Sequence, residues 1–285
     1  MKKTALFSTL AGCLSAILFV FIFGIPWRSA DLKAWPLPKP TPTPEVSPLT
    51  WKMPKLTKVT DDMPLSEQQK LEHYNFVQMI KHHPDPETRE YFIQEVFRDR
   101  RLRPAFIYGN DHFTGGLIAK LEAHERLAGA MDTYPYIQMN AKFVRSAEDA
   151  DVLTFWTTVQ HELVHYDQFV SARGSDMPGE LASFIEGVFP NASTEEMCTV
   201  MWEHQTEAFR GTCEFIYRAG LQGNKDQQYS FCPWYQSVEF KHAFFLDAME
   251  RSEKGLFSRI GGPPVCLPHY AELAGHPHPE AFRAE

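Results

Sequence analysis

The run His161-Glu162-Leu163-Val164-His165 constrains this chain more than any other stretch, because two histidines four residues apart face the same way on a helix. The flanking residues agree with that reading. Val152, Leu153, Phe155, Trp156 and Val159 recur at helical spacing, Ser146 and Asp149 form a capping pair in front of them, and Gly174 ends the pattern. The motif is therefore expected in the middle of one helix. There His161 and His165 can each place an imidazole nitrogen on a single zinc ion, while Glu162 projects from the neighbouring edge toward a water on it. These are the candidate metal ligands and the candidate general base.

The chain in front of this helix divides by composition. Residues 5 to 27 are almost unbroken apolar sequence behind Lys2 and Lys3, and about 20 such residues suffice to cross a bilayer as a helix. Arg28 occupies a position where a signal peptidase needs a small residue, which favours an uncleaved anchor over residues 1–30 rather than a removed signal segment. A lipoprotein-type site, Leu10-Ala11-Gly12-Cys13, is the further alternative. The lysines keep the N-terminus cytoplasmic, so the remainder is expected on the far side of a bacterial-type inner membrane, periplasmic or extracellular. Residues 31–57 hold Pro36, Pro38, Pro40, Pro42, Pro44, Pro48 and Pro54 and read as a linker, either a polyproline-type stalk whose stretch from Pro36 to Pro54 could hold the next domain roughly 60 Å from the bilayer or a disordered tether.

Residues 58–285 then form one domain, large enough to bury a core without help from a metal. Ser66 with Gln69 suggests a capped first helix; Asp85 caps a second, with Pro86 at its first position, that runs to about Leu102. Ala105 to Gly109 is a short strand, a third helix is expected over Gly116 to Met131, and Tyr136 to Val144 alternates as a half-buried strand does. Downstream, Ser193 with Glu196 marks a capping box for a helix that ends before Gly220. The fold class is thus α+β, predominantly helical, with a small sheet packed on the motif helix. A net charge of −8 without a basic stripe argues against nucleic acid.

Four cysteines lie outside the apolar run: Cys198, Cys213, Cys232 and Cys266. Cys198 and Cys213 fall on one helix, where 15 residues span about 22 Å, so they cannot pair with each other. The expected bridges are Cys213 with Cys232 and Cys198 with Cys266, or the exchanged partners.

A half-buried strand followed by a helix bearing Thr158-Val159-Gln160-His161-Glu162-Leu163-Val164-His165-Tyr166 resembles the core of the zincin metallopeptidases. Asp167 departs from the hydrophobic residue usual at that place. The metzincin branch would need glycine at 168 and histidine at 171, where this chain has Gln168 and Ser171. Glu203 and Glu207, four apart on the downstream helix, resemble the gluzincin arrangement instead. That resemblance implies Glu203 as the third zinc ligand and Glu207 as the acid that holds a ligand histidine through its other ring nitrogen, with the two able to exchange roles. Glu180 and Glu186 are further ligand candidates, and a free Cys198 or Cys213 a more remote one. The zincin resemblance also implies that substrate lies extended along the strand at Ile137 to Ala141 by edge pairing. His242, Tyr235 or Tyr217 would be candidates to stabilise an oxyanion, whereas His204 points about 100° away from Glu203 and is expected to pack.

The function expected from these residues is that of a membrane-tethered, exported zinc metallopeptidase acting on peptide or protein. Its rival is a non-catalytic, disulfide-stabilised envelope binding protein with a vestigial or structural metal site. A zinc hydrolase with a non-peptide substrate is a third reading, since the same helix chemistry activates water against any carbonyl.

Overall fold

Pro84 and the Asp85-Pro86 pair divide the first helical stretch in two, as expected, because proline is tolerated at a helix start and not in its interior. A computed structural model describes Trp35, Leu37 and residues 48–98, 103–108, 115–118, 136–173, 193–222, 229–253 and 264–283. Helix α1 spans Leu65–Lys81, and α2 spans Pro86–Phe92 with the Asp85 side chain accepting from the Thr88 amide. Pro64 stands at the N-cap of α1 without a side-chain bond, so the Ser66/Gln69 capping box does not form. Beyond Phe92 the chain widens into a π-helical turn, Ile93–Arg98, instead of continuing as α-helix. Leu102 lies outside the described residues.

Three short strands follow: β1, Arg103–Ile107; β2, Gly115–Ile118; and β3, Tyr136–Asn140. The strand β2 occupies the start of the expected third helix, whose remainder, 119–131, lies outside the described residues. Strand β3 is central in the order β1-β3-β2, parallel to β1 and antiparallel to β2. Both its edges are taken, so a substrate cannot pair along Ile137 to Ala141 as expected. The strand also stops four residues early. Asn140 turns the chain and caps a short helix α3, Ala141–Arg145, by accepting from the Lys142 amide at 3.0 Å. Ala141 and Phe143 are buried from this helical turn rather than from a strand.

Helix α4, Asp149–Arg173, carries the motif; the Ser146 hydroxyl, three residues before its start, accepts from the Glu148 amide at 3.1 Å rather than from an amide of the helix, so the Ser146/Asp149 pair is not a capping box. Helix α5, Thr194–Arg218, opens on the expected Ser193/Glu196 capping box and ends at Gly220, whose φ of +69° lets the chain reverse. Helices α6, Phe240–Glu253, and α7, Leu267–Leu273, complete the bundle. Tyr235 sits in the turn before α6. The architecture is therefore predominantly helical with one small mixed sheet.

The core joins these layers through aromatic rings. Phe76 of α1 meets Phe92, Phe106 and Phe155 at centroid distances of 5.9, 5.7 and 5.7 Å. Arg145 at the end of α3 donates to the buried Glu72 at 2.7 Å, and Tyr108 donates to the same carboxylate at 2.8 Å. Asn75 donates to Val144 O at 2.8 Å. Together these bonds fix the sheet and α3 on α1, and so set where α4 begins. Both expected disulfides form, Cys198–Cys266 and Cys213–Cys232, with Cα separations of 5.3 and 5.1 Å.

Packing begins before residue 58. Leu49 N donates to Arg218 O at 2.7 Å, Trp51 Nε1 donates to Ala219 O at 2.9 Å, and the Trp51 ring meets Trp156 edge-on at 5.4 Å. Residues 48–57 thus lie along the domain instead of spacing it from a membrane. The apolar run at 5–27 lies outside the described residues, and among those described no helix is long and apolar enough to cross a membrane.

His83, in the turn between α1 and α2, is buried against Phe215 at 5.0 Å, and its Nδ1 accepts from the Asp85 amide at 3.2 Å. Burial pushes its pKa down to about 4. An unfolded histidine titrates near 6.5, so the unfolded chain binds the extra proton first and stability falls as pH drops from about 6.5 to 4. The expected loss over that window is about 3 kcal/mol. Denaturant titrations at a series of pH values should show it, and His83→Asn, which keeps an acceptor for Asp85, should flatten it.

Candidate metal centre

The motif helix is positioned by its neighbours along one side. Contacts run antiparallel between α4 and α5: Thr212 meets His161, Gly211 faces Val164, and Glu207 meets Gln168. Gly211 permits this approach, since a Cβ there would stand 3.1 Å from Val164 Cγ2. Phe209 lies against the His161 ring at 4.4 Å.

Here His161 Nε2 and His165 Nε2 converge to 3.2 Å. Two nitrogens on one tetrahedral zinc, each about 2.0–2.1 Å from it, stand roughly 3.3–3.4 Å apart. The remaining ring nitrogens decide what sits between them. Gln168 donates its amide to Glu207 Oε2 at 2.7 Å and to His204 O at 3.2 Å, both of which only accept. Its Oε1 is therefore the atom presented to His165 Nδ1 at 2.9 Å, and that nitrogen carries the proton. Thr212 gives its hydroxyl proton to Ala208 O at 2.9 Å, leaving a lone pair 3.4 Å from His161 Nδ1. With both Nδ1 atoms engaged in this way, the two Nε2 atoms face each other across 3.2 Å. The pair fits two ligands of a zinc site.

Burial holds the pKa of His165 below the ordinary histidine value, and the neighbouring His204 adds to that effect. A neutral imidazole is the form that coordinates metal. Glu162 is 5 % exposed and lies about 60° round the helix from His165.

Glu203 and Glu207 part company. Glu207 reaches His165 through Gln168, so the acid behind the histidine acts across an intervening amide rather than directly. Glu203, one turn further from the pair, is in a close ion pair with Lys241 of α6. Among the described residues no group of three His, Cys, Asp or Glu side chains is placed to hold a metal ion. Glu180 and Glu186 lie outside the described residues, and Cys198 and Cys213 are both committed to disulfides. His204 is half-buried, with its pKa lowered by burial. His242 stacks on Trp35, and Tyr235 tilts against Tyr217 at 5.4 Å.

Gln168 is the residue sequence reasoning passed over. It served there only to exclude one branch, although three residues after His165 it falls on the same helix face. Removing its bridge by Gln168→Leu is expected to weaken zinc affinity about 10–100-fold with the fold intact, read by competition with a chromogenic chelator.

Asp167 also has a physical place. It accepts from Tyr91 and lines a cavity of about 390 Å³ with Gln160, Leu163 and Val164, roughly 130° round α4 from the histidines. Both Asp167 and Tyr91 have their pKa raised, first by burial.

No protein-family model matches the chain, and neither a curated protein nor a solved structure matches it.

Proposed function

We propose that this chain is a zincin-like zinc metallopeptidase, tethered by residues 5–27 and acting outside the cytoplasm on peptide or protein. The observation that carries the reading is the 3.2 Å convergence of His161 Nε2 and His165 Nε2, with both Nδ1 atoms engaged elsewhere. Bound by this pair, zinc would supply Lewis acidity, drawing the pKa of water toward about 7 and polarising a carbonyl. Glu162 takes the proton of the attacking water and passes it to the leaving amine. Gln168 and Glu207 keep His165 in the tautomer that coordinates through Nε2. Thr212 does the same for His161. The third protein ligand comes from Glu203, once released from Lys241, from Glu207 in exchanged roles, or from Glu180 or Glu186; loss of zinc in one of the four single alanine variants identifies it.

The ion pair between Glu203 and Lys241 favours a second reading, a disulfide-stabilised envelope binding protein whose histidine pair is a vestigial metal site. Elemental analysis of the purified full chain separates the two. Zinc near one equivalent, lost on His161→Ala, is the expected result; less than a tenth of an equivalent in the parent protein would leave only the binding protein.

A further inference from the structure

Trp35 is 13 residues ahead of Pro48, where continuous packing begins, yet it is seated on the domain. Its indole stacks on His242 of α6 with ring centroids 3.4 Å apart and planes 17° apart. The ring of His276 meets it edge-on at 4.6 Å, and Phe245 lies 6.4 Å away. The notch is built for a flat ring. Gly275, with φ of +80°, reverses the chain after α7, and the His276 amide then bonds back to Ala271 O at 2.8 Å. Phe282 closes the far side of His276 at 5.0 Å and packs on Phe245 at 5.3 Å.

We infer that Trp35 is a latch that holds the domain close to the membrane, with the face formed by α6 and the Gly275 turn toward the lipid. The inference rests on reading residues 5–27 as an uncleaved anchor. Seven residues lie between the end of that run and Trp35, and the eight steps across them can span at most about 28 Å. Without the latch, the first fixed point among the described residues is the Leu49 bond to Arg218, and the longest possible reach grows to roughly 70 Å. The stacked indole thus shortens the longest possible reach from the apolar run to the first fixed residue from roughly 70 Å to about 28 Å. A peptidase so held acts on chain segments near the bilayer.

The test uses the full chain, with Cys13→Ser, in phosphatidylcholine vesicles carrying an acceptor dye on the headgroups. A donor sits at Val238→Cys, a position 88 % exposed just before α6. Energy transfer is expected to fall by more than half in Trp35→Ala, given the change in reach. His242→Ala, which removes the other half of the stack, should act alike, and Trp35→Phe should retain most of the transfer. Losing the stacked ring should also speed protease cleavage between residues 36 and 47 about tenfold. Unchanged transfer and unchanged cleavage in both alanine variants would overturn the latch. Release of the parent chain by alkaline carbonate, with cleavage still faster in Trp35→Ala, would overturn the membrane placement while the latch itself stood.

Discussion

Glu162→Gln is expected to keep its zinc and lose its hydrolysis. The side chain is buried and glutamine has nearly the same shape, so the helix should tolerate the change with little loss of stability. Zinc should stay because the two proposed ligands, His161 and His165, keep their Nε2 geometry and their bonds to Thr212 and Gln168. What disappears is a group able to accept a proton from water and return it to the leaving amine. Positioned acid–base groups contribute about 10²–10⁴ in rate, so kcat on a quenched-fluorescence peptide library should drop by that factor. Zinc content measured on the same preparation makes the result decisive. Full activity in a zinc-replete Glu162→Gln protein would sink the mechanism; loss of activity together with zinc would assign Glu162 to the metal shell instead.

How far the sequence carried depended on how local each signal was. The capping box at Ser193 and Glu196, the Asp85-Pro86 start and Gly220 each settle within a few residues, and each forms as read. The pairing of cysteines was legible for a similar reason: a rigid helix forbids Cys198 from reaching Cys213, which leaves few connectivities. The sheet was harder, because its order depends on partners far along the chain. Tyr136 to Val144 alternates throughout, yet Asn140 offers its side chain to the Lys142 amide and the alternation continues into a helical turn. Nothing within those nine residues shows that β1 and β2 flank the strand on both sides, and that is what rules out substrate pairing there.

The site divides along the same line. His161, Glu162 and His165 lie within five residues, and helix geometry alone brings the two imidazoles together. Glu203 and Glu207 are a full helix away, where the register between α4 and α5 decides which acid reaches the histidines. That register is set by Gly211 against Val164, a contact between residues 47 apart in sequence. It places Glu207 beside Gln168 and leaves Glu203 a turn beyond, with Lys241. A spacing of four named both acids correctly as one face and could not say which would be nearer.

The two disulfides should differ in what their loss does, although each costs several kcal/mol. In the chain-entropy account, opening the Cys198–Cys266 loop, 68 residues in separation, costs about 4 kcal/mol, and opening Cys213–Cys232, separation 19, about 3 kcal/mol. Either double alanine variant should therefore melt roughly 10 °C lower by calorimetry. The first bridge ties the start of α5 to α7, beside the stacked Trp202 and Tyr270 rings at 5.1 Å, and touches the histidine pair nowhere. The second adjoins Thr212 directly. It also fixes Phe231, whose ring holds Phe209 at 5.4 Å, and Phe209 in turn lies on His161. Loss of Cys213–Cys232 should thus weaken zinc binding about tenfold at a temperature where the protein is still folded, as loss of a supporting contact does elsewhere. Loss of Cys198–Cys266 should leave zinc affinity within about twofold, because contacts that far apart usually act independently. Equal effects of the two variants on zinc would mean that α5 moves as one rigid rod, and the register at Gly211 rather than the Thr212 contact would then set the metal centre.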